Sequence, residues 1–107
     1  MKTVELRHDD LQGGHPDYYV YAGTQLVGRI YLHIQMADKQ KWFWGVNAVL
    51  HDSTIGRPMH GYADDLDDAK DRVREAFDAW LIWAQSIPSD DPKHSLAARQ
   101  LAAAGSL

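Results

Sequence analysis

Odd-numbered positions between Tyr19 and Val49 carry the residue types best suited to recognition: Tyr19, Tyr21, Arg29, Tyr31, His33, Gln35, Lys41, Phe43 and Asn47, with Val27 and Val49 among them. Successive side chains of a β-strand point to opposite faces, so residues of one parity share a face. Aromatic rings interleaved with Arg29, His33 and Lys41 can stack on nucleobases or on a partner's side chains. An open sheet face rich in tyrosine also suits a protein interface. The plainer alternative is that tyrosine and phenylalanine favour strands for their shape, and that the N-terminal loop or a second helix covers them. The candidate binding residues are therefore Tyr19, Tyr21, Arg29, Tyr31, His33 and Phe43.

Other groups are less suited to chemistry. Six histidines are present; His51 and His60, with Asp52, flank one loop, and His8, Asp9 and Asp10 share another. A zinc site needs three or four ligands converging at about 2.0–2.2 Å. None of these spacings matches a close repeated pattern such as His-Glu-x-x-His, so no metal ligand and no cofactor is expected. Asp64, Asp65, Asp67 and Asp68 are explained by capping and by the positive end of a helix dipole. Arg57-Pro58 after Gly56 could touch an anion, but reads more simply as a turn. No phosphate-binding glycine loop, nucleophile elbow or dinucleotide fingerprint occurs. No nucleophile and base stand out, so the reading leans away from an enzyme and assigns no catalytic residue. A pocket gathering His33, His51 or His60 with a carboxylate would reverse that.

The elements that position these residues follow from periodicity. Lys2 to Arg7, Tyr18 to Ala22, Leu26 to Met36 and Lys41 to Leu50 read as strands, and Met59 to Ala63 could add a short edge strand. Leu26, Ile30, Leu32, Ile34 and Met36 alternate with polar or aromatic residues, as do Trp42, Trp44, Val46, Ala48 and Leu50. If even-numbered residues face the core throughout, opposed numbers sum to an even value. That favours Ala22 opposite Leu26 around a three-residue loop and Met36 opposite Trp42. Asp64 or Asp65 should cap a helix whose apolar stripe is Leu66, Ala69, Val73, Ala76, Phe77, Trp80, Leu81 and Ala84, ending before Pro88. Trp83 falls partly off that stripe. Ser95 could cap a last short helix, Leu96 to Ala104, closed by Gly105, which either docks or frays.

The fold class expected is α+β: an antiparallel three- to four-stranded β-meander with one long helix on one face and a short C-terminal helix. Residues 1–88 form the sheet-plus-helix domain, and residues 89–107 a linker and that helix. Trp42 and Trp44 are expected to pack against Phe77 and Trp80.

The segments Gly28-Arg29-Ile30-Tyr31, Trp42-Phe43-Trp44-Gly45, His60-Gly61-Tyr62-Ala63, Asp68-Ala69-Lys70 and Ala79 to Ala84 together resemble a group of short uncharacterised bacterial proteins with no assigned activity. More loosely, a meander followed by Gly61-x-Ala63 and a helix is similar to HicB-like antitoxin domains. That resemblance implies nucleic-acid regulation, although the chain has no evident helix-turn-helix.

Bulk composition narrows the classes. The chain has 107 residues, 45% hydrophobic and 24% charged, with a net charge of -4. A dedicated duplex-DNA binder is usually basic. No apolar run approaches the ~20 residues that span a bilayer, so no membrane partner is expected. Charge near Met1 makes the cytoplasm the default location, and the absence of cysteine removes disulfides, thiol nucleophiles and thiolate metal sites. The best reading is a small self-associating or protein-interaction module, possible as a homodimer, using the tyrosine-rich face. The alternative is an antitoxin-like or regulatory nucleic-acid module, which needs a positive patch around Arg29, Lys39 and Lys41.

Overall fold

A computed structural model of the chain describes residues 4–8, 17–34 and 40–105. Its class is α+β. Five antiparallel strands form one sheet in sequence order: β1 (Glu5–His8), β2 (Asp17–Ala22), β3 (Gln25–Ile34), β4 (Gln40–Gly45) and β5 (His60–Ala63). Two helices follow, α1 (Leu66–Gln85) and α2 (His94–Ala103). The sheet thus exceeds the three or four strands expected. His60–Ala63 is a full member, pairing Phe43 with Tyr62 and Gly45 with His60. No helix among the described residues is long and apolar enough to cross a membrane.

The core lies on the even-numbered face of β2 to β4. Val20, Ala22, Ile30 and Trp44 meet Ala69, Val73, Ala76, Phe77, Trp80 and Ala84 of α1 there. Trp42 is half-buried at the edge of this cluster, its ring centroid 6.4 Å from that of Tyr18. Asp65 caps α1 by accepting from the Asp68 amide at 2.7 Å, and Asp67 and Asp68 occupy the first turn. These carboxylates offset the partial positive charge of the exposed amides.

Register departs from the expected parity at the first hairpin. Gly23-Thr24 is a two-residue turn, with Ala22 opposite Gln25 and Tyr21 opposite Leu26. Gly23 accepts the required positive φ of 58°. The odd sum is corrected at once by a bulge, after which Val20 opposes Gly28. Leu26 therefore shares the face of Tyr21, and Val27, expected on the open face, is wholly buried. At the next hairpin Trp42 pairs with Leu32 rather than Met36. The even sum survives, and the five connecting residues, 35–39, Met36 among them, lie outside the described ones.

β4 ends at Gly45, well before Leu50. Beyond it the Val46 amide donates to the Met59 carbonyl at 2.7 Å, and the Ala48 amide donates to the Val27 carbonyl at 2.9 Å. The bulge leaves that carbonyl for Ala48, so one irregularity serves the other. Val49 turns into the core as a result.

The C-terminal helix docks. The Thr24 amide and hydroxyl both donate to the Ala103 carbonyl, at 2.9 and 3.2 Å, and the Leu50 amide donates to Gln100 Oε1 at 2.9 Å. Ala97, Leu101 and Ala104 are buried. The helix begins earlier than expected, and Ser95 lies inside it. Lys93 holds the N-cap position without a side-chain bond, because an Asp91–Lys93 turn already sets its direction. Gly105, with φ of 79°, closes it as expected.

Asp52 ties this end together. It accepts from the Thr54 amide and hydroxyl at 2.9 and 2.7 Å and pairs with Lys93 at 2.8 Å. The Lys93 bond, then those from Thr54, hold its carboxyl well below the usual carboxylate range, and Lys93 is raised in turn. A carboxylate lowered in the folded state stabilises it fully above the ordinary carboxylate pKa, and that stabilisation fades as pH falls toward the lowered value. Acid unfolding below about pH 4 should therefore be less steep in Asp52→Asn than in the parent chain. Identical acid limbs in pH-jump fluorescence would show that this pair contributes nothing.

Candidate sheet-face interface

Helix α1 packs on the even-numbered face, and α2 docks against α1 and the Gly23-Thr24 turn, which leaves the opposite face to the aromatic residues. Tyr19, Tyr21, Arg29, Tyr31, His33 and Phe43 all lie there, each half-buried. Register brings three of them together. Tyr31 opposes Phe43 with centroids 4.9 Å apart, and His33 lies edge-on to Tyr31 at 6.4 Å. β5 extends the cluster with two residues outside the sequence-derived set. Tyr62 meets Phe43 at 5.8 Å and His33 at 5.9 Å, both edge-on, and His60 stacks on Phe43 at 6.4 Å. At 53% exposure Tyr62 is the large apolar residue this face offers most fully to solvent.

Tyr62 and His60 have even numbers yet share the odd-numbered face, because the connection 46–59 changes the parity. Alternation in His60-Gly61-Tyr62-Ala63 is the signal that could have placed them. Tyr19 opposes Arg29, and Tyr21 lies under Arg7, whose guanidinium sits 4.0 Å from the ring centroid. Arg7, also missed, follows from pairing with Tyr19 in β1.

The cations of this face are held by the chain's own carboxylates. Arg29 Nε donates to Asp17 Oδ1 at 2.8 Å, and Nη2 bonds Oδ2, making a bidentate pair. Asp17 is only 3% exposed. Its hydrogen bond raises the Arg29 pKa further, and the guanidinium also lies 4.7 Å from the Tyr31 ring centroid. Twelve residues separate Asp17 from Arg29, and only the β2–β3 register unites them. Lys41 bonds Asp64, which lowers the Asp64 pKa. Arg7 lies 3.9 Å from Glu5. A strand-binding surface needs cations free for phosphate. Arg29 and Lys41 are already paired, and Lys39 lies outside the described residues.

The remaining candidates separate. His51 and His60 share a pocket with Asn47 but with no carboxylate, and His33 is elsewhere. Among the described residues no group of three histidines or carboxylates could hold a metal. Of the other group, Asp9 and Asp10 lie outside the described residues. Arg57 Nη1 reaches the Glu75 carbonyl at 3.5 Å, and Trp83 Nε1 donates to Thr54 Oγ1 at 2.9 Å, so each has a structural task.

What the face can do is bury flat apolar area while carrying little unbalanced charge. No protein-family model matches the chain, and no curated protein and no solved structure is significantly similar to it.

Proposed function

We propose that the chain is a small binding module that pairs with a second copy of itself through the aromatic face of the sheet. The observation that carries this reading is the Tyr31–Phe43–Tyr62–His33 ring cluster on the face that the helices leave open. Charge supports an identical partner. Two copies meeting about a two-fold axis place like charges near each other, which is tolerable only when those charges are balanced internally. Arg29 with Asp17, Lys41 with Asp64 and Arg7 with Glu5 provide that balance. Arg29, held by Asp17, and His33, between two tyrosines, fix how the rings are presented.

Size sets the strength. Five strands at about 4.8 Å spacing are roughly 24 Å wide, and the six residues of β4 span about 20 Å. The footprint is on the order of 500 Å², below the ~800 Å² per partner of a standard stable interface. A reversible dimer in the micromolar range is the matching expectation.

Tyr62→Arg tests it with little risk to the fold, since this side chain is exposed. Sedimentation equilibrium across a hundredfold concentration range should show a monomer–dimer equilibrium for the parent chain. The variant should need at least ten times the concentration to pair, because two arginines would face each other. A parent chain that sediments as a monomer throughout removes the reading.

A further inference from the structure

We propose that the pocket at the end of β4 is a binding site for a free, planar heteroaromatic molecule with a donor–acceptor edge, of the purine type. This inference does not rest on self-association, although Phe43 and His60 belong both to the pocket and to the aromatic cluster. The pocket has a volume of about 310 Å³ and is lined by Phe43, Val46, Asn47, His51, Met59 and His60. Val46 and Met59 are buried and make an apolar floor. Phe43 and His60 present nearly parallel rings, inclined at 29° with centroids 6.4 Å apart. A flat ring laid over the pocket from the solvent side would rest against both of them. Gly45, directly opposite His60, lets the Phe43 ring lie close against the backbone at the pocket's edge: a Cβ there would lie 3.2 Å from the Phe43 ring and 3.6 Å from Asn47 Nδ2.

The polar groups distinguish this pocket from a larger one. The cleft of about 450 Å³ between the 3₁₀ turn at Ser53–Ile55 and the α1–α2 connection is lined by Asp52, Thr54, Trp83, Ser86 and Lys93 among others. There Asp52 is bonded to Thr54 and Lys93, Trp83 to Thr54, and Ser86 to the Trp83 carbonyl. Those groups are spent on one another. In the smaller pocket the side chains of Asn47, His51 and His60 make no hydrogen bond among the described residues. An apolar floor with a few convergent, uncommitted polar groups is the usual make-up of a small-molecule site. An amide such as Asn47 can donate and accept at once, which matches the edge of an adenine ring. The volume lies at the lower limit of ligand pockets, so the occupant has one or two rings.

Adenine is the probe. Two-dimensional NMR of the full chain should show saturable shifts at millimolar adenine, confined to Asn47, His51, His60 and the Met59 methyl. Asn47→Ala, an exposed change, should weaken binding at least tenfold without altering thermal unfolding. Cyclohexanecarboxamide, which has an amide edge but a puckered ring, should not bind. No saturable shift with adenine, or equal binding of the puckered control, overturns the proposal. Single-stranded oligo(dA) that binds far more tightly than adenine, with strong salt dependence, also overturns it in favour of a strand-binding surface.

Discussion

Trp80→Ala is expected to cost the fold about 3–5 kcal/mol, a large share of the ~5–15 kcal/mol that stabilises a domain of this size. Trp80 is wholly buried and stacks on Phe77 at 5.6 Å with planes 8° apart. Its Nε1 also donates to the Leu50 carbonyl at 2.8 Å. Truncation therefore opens a cavity and leaves that carbonyl without its donor. Trp80→Phe separates the two effects, because it keeps a ring against Phe77 and loses the bond; it should cost less than half as much. Urea unfolding of both variants measures the difference. A Trp80→Ala midpoint close to the parent's would mean that α1 is not seated by this residue. Leu50 lies beside the Gln100 contact that docks α2, so the alanine variant should also loosen the C-terminal helix.

Trp80 was legible in the sequence because a helical stripe is local: its period needs no knowledge of what it packs against. The same holds for Ile30 and Trp44, and for the sharing of one face by Tyr31, His33 and Phe43. What was not legible depends on events that cancel over distance. A two-residue turn at Gly23-Thr24 and a bulge at Val27 each break the parity rule, and together they restore it beyond Gly28. Residues of β2 to β4 outside that short interval keep the expected face, while Leu26 and Val27 do not. The apolar alternation runs on through Val46, Ala48 and Leu50, yet the strand stops at Gly45. Its end is set by hydrogen bonds to Val27 and Met59, partners about twenty and thirteen residues away. The candidate face was incomplete for a related reason. Asp17 balances Arg29, and Tyr62 and His60 join Phe43, only through strand pairings that single-strand periodicity does not contain.

Gly28→Ala should be at least as damaging as any core truncation, although it adds one methyl group. A Cβ at Gly28 would stand 1.8 Å from the Gly45 carbonyl oxygen and 2.8 Å from its carbon. These are backbone atoms, so no side chain can swing aside. Either β3 and β4 separate or the turn out of β4 is rebuilt, which exceeds the ~1–3 kcal/mol typical of overpacking in a core. The variant is expected to be largely unfolded at 25 °C by circular dichroism. Gly61→Ala is the internal comparison. Its Cβ would meet the Trp44 ring at 3.2 Å, a contact with a side chain that can yield a few tenths of an ångström. That variant should fold, with a loss of about 1 kcal/mol. The order of the two decides more than stability. The chain crosses the core face at Gly28 on its way from Phe43 to Asn47, so this crossing sets how the sheet face and the pocket behind Gly45 lie against each other. If Gly28→Ala unfolds no more readily than Gly61→Ala, the crossing is elsewhere, and Asn47 and Phe43 have no reason to line one pocket.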